Sequence, residues 1–406
     1  MLILLPVEKW TVSGLGPTDV FIIGLIAISW PVFWRQRVRV SFPLALPMWI
    51  ILLGSLVGLL SGLDFSAGFL ALLQEIYLFV AFVTLVNAIV DRELFDFLKK
   101  VWIIVATVEA VLLVLQRFGF TLPFLRGGGK AAIAGTDVLT EIGRAVGTFV
   151  NTNAAGGYML ISFFLLLTIP YPRHRLLRAG LYMLFLAGIY STGSNGALVG
   201  LIVGLSLTFL YWIAHHGRVM LFGLGVGAIV LTVFILSLPS IMSVLQSARG
   251  DDSLLVAFSR ADDKLQKRLA LWENGANLIE EYPLGIGPNV TRSVVVIALH
   301  NDYVAYLTER GPLGLLGLIM LLGEVLFWLA LTARDGAEWR DHLATGALIG
   351  GLIGLALMSV VHEVTHGRAV WLFYAFIYLH YQFVRARVRE GEPAFAVQSQ
   401  PELITP

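Results

Sequence analysis

Three residues, His362, Glu363 and His366, form the first pattern in this sequence that could carry chemistry, because they match H-E-x-x-H. On one helix face, the two histidines of that pattern bind zinc and the glutamate acts as a general base. Catalytic zinc needs three protein ligands, and no convincing third ligand accompanies this pair. Gly367 and Arg368 follow at once and predict that the helix stops there. We therefore expect no metal, and we expect Glu363 to orient a catalytic group or an arginine; an intramembrane zinc protease stays an alternative.

Arg268 is the second candidate, and it lies within residues 240–310, a long segment rich in charged residues. Apolar residues recur at helical spacing from 265 to 279, and Arg268 falls on their face. The pattern predicts an amphipathic helix that lies on the membrane-embedded body or in the interface and ends at Tyr282-Pro283. There, Arg268 either covers apolar surface with its stem or binds an anionic ligand.

Three glutamates, Glu75, Glu109 and Glu324, lie inside apolar segments. Ionisable groups at such positions are costly and often functional. They could mark a proton or ion path, as in a transporter, or they could pair with other groups inside a helix bundle. They share no spacing, so the sequence leaves both interpretations open.

The elements that would position these residues follow from the composition. Of the 406 residues, 57% are hydrophobic and 14% are charged. The mean hydropathy is +0.82, and a soluble domain carries about 25% charged residues. A helical span needs about 20 mostly apolar residues. The segments that meet this requirement are 15–34, 43–61, 68–90, 101–119, 154–170, 178–193, 196–213, 219–238, 311–332, 343–361 and 369–384.

We therefore expect an all-α polytopic membrane protein with about eleven (10–12) transmembrane helices, built as a single domain over residues 1–390. The polar tail 391–406 is expected to be disordered. A net charge of +1 argues against a nucleic-acid partner. The absence of cysteine excludes a disulfide framework, a thiolate metal site and a cysteine nucleophile.

Charge also predicts the orientation of the chain. Lys and Arg accumulate in one alternating set of short loops, which the positive-inside rule places in the cytoplasm. This assignment puts the C-terminus inside and the N-terminus outside. Segments 120–152 and 240–310 then face the periplasm or exterior, and the second is the large periplasmic loop with the amphipathic helix.

Three ordered segments on that face have a recognisable composition. The first runs from Arg144 to Asn153, and the second from Ser191 to Ala197. The third covers 268–311 and contains R-L-A-L-W, P-L-G-I-G, H-N-D-Y and E-R-G. As an ordered set they resemble the O-antigen ligase and O-antigen polymerase superfamily of bacterial envelope glycosyltransferases.

The resemblance implies transfer of a glycan from an undecaprenyl-pyrophosphate carrier to an acceptor hydroxyl, at the periplasmic side of the bacterial inner membrane and without a metal or cofactor. The acceptor would be a lipid A core sugar in a ligase, or a growing polysaccharide in a polymerase. His300 would be the general base, and Arg268 and Arg144 would hold the pyrophosphate. A neutral imidazole suits a base near pH 7, and guanidinium groups bind phosphate in a bidentate way.

Four further residues are candidate substrate ligands: Asn153, Asn195, Asn301 and Glu363. Asn153, like Asn151, could instead cap the next helix, and Asn301 or Asp302 could cap the helix that follows them.

One position departs from the superfamily pattern, which usually carries arginine where Asn195 stands. Asparagine supplies no positive charge, so Arg292 or Arg310 could replace that arginine, or the donor could be held differently. A different class of function also stays open, namely a lipid-linked oligosaccharide flippase or other transporter. Such a protein needs charged groups near the membrane midplane and broken helices.

Overall fold

The computed structural model describes residues 16–37, 39–120, 144–215, 270–294, 299–336 and 339–390, which form helices and turns but no strand. The helices are α1 (Pro17–Arg35), α2 (Ala45–Ser61), α3 (Phe65–Ala88), α4 (Arg92–Arg117), α5 (Thr152–Leu167), α6 (Arg175–Thr192), α7 (Asn195–His215), α8 (270–281), α9 (Asp302–Asp335), α10 (Trp339–Met358) and α11 (Arg368–Glu390). A single helical turn, Thr291–Val294, precedes α9.

Five of these helices, α1, α3, α7, α9 and α10, are long and apolar enough to cross a membrane, and α2 and α5 are shorter apolar helices. The predicted class of an all-helical membrane protein is therefore confirmed for the described residues. The predicted span 219–238 lies outside them, and the total of about eleven spans stays a prediction. The predicted segments 178–193 and 196–213 correspond to two separate helices, α6 and α7.

Local sequence explains where several helices begin. Asp64, Asp91, Asn151 and Asn301 precede α3, α4, α5 and α9, and the side chain of each accepts a hydrogen bond from a backbone N–H of the first turn. Such caps satisfy donors that have no partner inside the helix. Helix α8 ends before Tyr282, as the Tyr-Pro pair predicted. The rest of the predicted amphipathic helix, including Arg268, lies outside the described residues.

Helices α7 and α10 pack at very short range through glycine. A Cβ atom on Gly204 would lie 2.4 Å from the carbonyl oxygen of Gly350, and one on Gly200 would lie 2.5 Å from that of Gly354. Small residues spaced four apart let two helix backbones approach in a membrane, where van der Waals packing drives association. This antiparallel pair fixes the N-terminus of α7 beside the C-terminus of α10.

Helix α9 is kinked at Gly311, whose φ of 64° and ψ of −168° are not helical. Glycine adopts a positive φ without steric cost, and Pro312 has no N–H to continue the helix. The turn at 284–287 packs against α9 at this kink. The Ile286 N–H donates to the carbonyl oxygen of Thr308 at 3.1 Å, and the Gly287 N–H donates to the carbonyl oxygen of Glu309 at 2.9 Å. The part of α9 after the kink, residues 312–335, has 24 residues and is about 36 Å long, enough to cross the about 30 Å apolar core of a bilayer.

We expect Gly350→Ala to destabilise the protein. Its Cβ would lie 2.3 Å from both the Gly204 carbonyl oxygen and the Thr208 hydroxyl. Overpacking of this kind costs about 1–3 kcal/mol, against a helix-propensity gain of about 1 kcal/mol. Gly323→Ala is the matched control, because no atom lies within 4 Å of that position. Thermal unfolding in detergent should show a lower midpoint for Gly350→Ala alone; equal midpoints would contradict the packing.

Candidate functional site

The first of the three predicted segments is held in place by two polar side chains of α4. The carboxylate of Glu109 accepts hydrogen bonds from the backbone N–H of Thr148 at 2.9 Å and from its hydroxyl at 2.8 Å. The Gln116 side chain accepts one from the backbone N–H of Gly147 at 2.9 Å. Glu109 is therefore paired inside the bundle, which was one of the two interpretations open for it.

Arg144 links the first segment to the second. Its Nε donates to the carbonyl oxygen of Thr192 at 3.1 Å, and its Nη2 lies 3.4 Å from the side-chain oxygen of Asn153. The backbone follows the same path, because Ala145 N–H donates to the Ser191 carbonyl at 2.9 Å. The guanidinium thus lies between the start of α5 and the end of α6, and Asn151 rather than Asn153 caps α5.

Asn195 is the first residue of α7 and is exposed, whereas its neighbour Gly196 is buried. A Cβ atom on Gly196 would lie 3.2 Å from Cδ2 of His362. The second segment therefore packs directly on the turn after α10. Only a residue without a side chain lets the imidazole of His362 approach the start of α7 this closely.

His300 lies beside His362. The centroids of the two imidazole rings are 6.1 Å apart, and the rings are nearly perpendicular. His300 has a left-handed backbone with φ of 53°. Asn301 follows as the cap of α9 and accepts hydrogen bonds from Tyr303 and Val304 N–H at 2.9 and 3.1 Å. The side chain of Asn301 is buried and already accepts these two hydrogen bonds. A contact between this side chain and substrate stays a prediction.

Glu363 joins His300 to an arginine. One carboxylate oxygen accepts the backbone N–H of His300 at 3.3 Å, and the other accepts Nη2 of Arg292 at 3.0 Å. The carboxylate is largely buried, while the Arg292 side chain is 56% exposed. Glu363 thus lies where it can orient both the residue predicted as base and a cation.

Asp302 is a site residue whose part the sequence did not indicate beyond a helix cap. It is completely buried and accepts hydrogen bonds from Val364 N–H at 2.9 Å and from the Thr365 hydroxyl at 2.8 Å. Its own N–H donates to the Ser359 carbonyl at 2.9 Å. These bonds fasten the turn that carries Glu363 to the start of α9. In the local sequence, this contact is indicated only by the acidic residue that directly follows His300 and Asn301.

The helix expected for H-E-x-x-H is absent, because residues 359–367 form turns between α10 and α11. His362 faces His300, and His366 instead stacks on Tyr306 with ring centroids 5.9 Å apart. Burial, then the charges of Arg310 and Arg292, lower the pKa of His366 to about 3. The helix-face geometry of a zinc protease is therefore not formed, and no group of three potential metal ligands occurs among the described residues.

A buried ion network lies next to the kink of α9. The guanidinium of Arg310 donates to Glu75 on α3 at 2.7 Å and to Glu309 at 2.8 Å, and it also lies 4.3 Å from the ring centroid of Tyr306. The hydroxyl of Ser55 on α2 donates to Glu75 at 2.7 Å. Arg310 is 1% exposed, so the expectation that it could replace the arginine missing at position 195 is wrong.

The third intramembrane glutamate, Glu324, is also engaged. It accepts a hydrogen bond from the backbone N–H of Leu44 at 3.2 Å, at the start of α2. All three glutamates therefore have structural partners. Pairing inside the bundle accounts for them without an ion path.

The structure thus brings six of the seven predicted site residues to one end of the bundle. Arg144 contacts Thr192 and Gly193 at the end of α6, and Gly196 at the start of α7 contacts His362. His362 lies beside His300, whose backbone N–H donates to Glu363. Arg268 lies outside the described residues.

These features define a multi-pass helical membrane protein with a polar site at the ends of its helices. The sequence profile of one family, described as O-antigen ligase, matches residues 180–319. The match includes α7, Arg292, His300 and the kink of α9, and it confirms the resemblance to the O-antigen ligase and polymerase superfamily. It indicates O-antigen ligase-like glycan transfer in general, with lipid-linked glycan and acceptor substrates. No curated protein matches the chain.

We expect Arg310→Met to be strongly destabilising. It would leave the carboxylates of Glu75 and Glu309 buried without their cation, and breaking a buried ion pair costs about 3–5 kcal/mol. Arg334→Met is the matched control, because Arg334 is also on α9 and paired with a carboxylate, Asp335, but is 70% exposed. Exposed pairs contribute about 0–1 kcal/mol. Unfolding in detergent should separate the two variants, and a stable Arg310→Met would refute the role of the network.

Proposed function

We propose that this protein transfers a glycan from an undecaprenyl-pyrophosphate carrier to an acceptor hydroxyl at the periplasmic side of the bacterial inner membrane. The acceptor is a lipid A core sugar or a growing polysaccharide, and no metal or cofactor takes part. The observation that carries the proposal is the convergence of residues from all three superfamily-like segments on one end of the bundle. Gly196 and His362, which are 166 positions apart, are in contact there, and His362 lies beside His300.

In the proposed reaction, His300 is the general base. The acceptor hydroxyl loses its proton to the His300 imidazole as its oxygen bonds to the anomeric carbon of the glycan. The bond from that carbon to the pyrophosphate oxygen breaks, and the lipid pyrophosphate leaves with the electron pair. His300 lies just before the N-terminus of α9, and a neutral imidazole suits a base that accepts a proton near pH 7.

The proposed donor ligands are Arg144 and Arg268, with Asn153 and Asn195 contacting substrate. A pyrophosphate leaving group develops charge near a low-dielectric medium, where guanidinium groups stabilise it most effectively. Arg144 is already ordered by Thr192 and Asn153, so less conformational freedom is lost when it binds an anion. Glu363 is proposed to position His300 through its backbone N–H.

A transporter of lipid-linked oligosaccharide is the second candidate, and the buried ion network beside the kink of α9 is the observation that favours it. Transporters place charged groups beside broken helices near the midplane. Here, however, Arg310 is neutralised by Glu75 and Glu309, whose other bonds are to the protein. Movement of glycan across vesicles without a covalent product would support the transporter.

His300→Asn is expected to abolish glycan transfer while leaving the fold intact. Asparagine tolerates the left-handed backbone that His300 adopts, but it cannot accept the proton. Removing a general base lowers the rate by about 100-fold to 10,000-fold. The assay incubates purified protein with lipid-linked glycan and each class of acceptor and resolves products on a gel. A ladder indicates a polymerase, and a single transferred block indicates a ligase.

His215→Ala is the control, because His215 ends α7 at the opposite end from Asn195. It should retain wild-type transfer. Undiminished transfer by His300→Asn would remove His300 as the base. Absence of transfer by the wild-type protein with every acceptor would refute the proposed function.

A further inference from the structure

We infer that Arg292 binds the pyrophosphate of the donor and supplies the positive charge that Asn195 does not. This inference rests on the proposed function for the identity of the ligand. The placement of the cation comes from the structure, because Arg292 and the backbone N–H of His300 both donate to the carboxylate of Glu363.

The backbone around Arg292 is fixed by buried groups. The side chain of Glu309, which is itself buried, accepts the backbone N–H of Asn289 at 2.7 Å and the hydroxyl of Thr291. Glu309 is in turn held by Arg310. The turn Thr291–Val294 is therefore anchored to α9 immediately before Arg292, and the entropy cost of placing that residue is met on folding rather than on binding.

The guanidinium of Arg292, in contrast, is accessible. Its side chain is 56% exposed, whereas that of Arg310 is 0% exposed. Glu363 accepts from one nitrogen, Nη2, and a guanidinium carries five N–H donors. Because more than half of the Arg292 side chain is exposed, solvent weakens its ion pair with this single carboxylate. A pyrophosphate with two negative charges competes well for such a cation, because charge-assisted bidentate bonds are the stronger ones.

Arg292 lies close to His300, the residue proposed as the base. One carboxylate separates the guanidinium from the backbone of the base. An anion held by Arg292 therefore lies next to the carboxylate that also holds the backbone of His300. Glu363 then acts as a positioning residue for both groups, and the substrate contact expected from the sequence stays a prediction.

The test measures two quantities, the KM for the lipid-linked donor and the inhibition constant of inorganic pyrophosphate. Arg292→Gln should raise both by about 10-fold to 100-fold, the loss expected for a charge-assisted hydrogen bond, with a smaller change in kcat. Arg292→Lys keeps the charge but not the bidentate geometry and should be intermediate. Arg334→Gln, an exposed and ion-paired arginine at the far end of α9, should leave both quantities unchanged.

A second variant tests the positioning without touching the guanidinium. Thr291→Val removes the hydroxyl that Glu309 accepts, so Arg292 loses part of its anchor. It should raise the pyrophosphate inhibition constant, and combining it with Arg292→Gln should add little beyond Arg292→Gln alone, because both act through one contact. Full additivity would refute the anchoring.

The outcomes separate this inference from the proposed function. If Arg292→Gln keeps wild-type KM and pyrophosphate inhibition while His300→Asn loses transfer, Arg292 is not the ligand and the proposed function stands. If the wild-type protein transfers no glycan yet binds pyrophosphate through Arg292 in calorimetry, the anion site stands and the function falls. If Arg292→Gln weakens only binding to phosphatidylglycerol nanodiscs, Arg292 contacts lipid headgroups and the inference is overturned.

Discussion

Arg310 is the residue on which the arrangement at this end of the bundle depends. Its guanidinium is completely buried and is held by the carboxylates of Glu75 and Glu309. A buried guanidinium without anionic partners costs several kcal/mol. Helices α3 and α9 therefore have to keep their relative position, so that Arg310 stays paired with Glu75 and Glu309. The remaining bonds of Glu309 carry this constraint to Asn289 and Thr291, and so to the turn that presents Arg292.

Carboxylates repeat this anchoring role in three other places. Glu109 holds the first segment, Asp302 holds the turn after α10, and Glu363 holds His300. Each accepts a backbone N–H of a loop or turn, a donor that costs free energy if it is buried without a partner. Loops are usually the mobile part of a protein, but these are tied to helices. A site built this way holds its groups in fixed geometry before substrate arrives, which is where much of the rate enhancement in catalysis originates.

Close packing between helices also makes this end of the bundle rigid. Glycine lets α7 approach α10, and it also lets α2 approach α9, where a Cβ on Gly58 would lie 2.5 Å from the Glu309 carbonyl oxygen. Gly196 extends the same principle into the site, because it lets His362 lie against the start of α7 beside His300. The glycines thus serve packing and the placement of the imidazole pair together.

The sequence by itself determined the membrane class and several helix ends. Length of an apolar run, scarcity of charge and the capping of α5 and α9 by Asn151 and Asn301 are local properties, readable from neighbouring residues. The superfamily-like segments were also visible in this way, including His300, and the family profile covers two of the three.

Tertiary structure alone decided which polar residues are partners and which are accessible. Arg292 and Arg310 are equivalent candidates in sequence, yet one is exposed and the other is buried against Glu75, which lies 235 positions away. His362 and His366 match a helical zinc pattern, yet Asp302 holds that segment as a turn from 62 positions away. Burial and pairing are set by groups distant in the chain, and the free energy of an ion pair depends on the surroundings that those groups create.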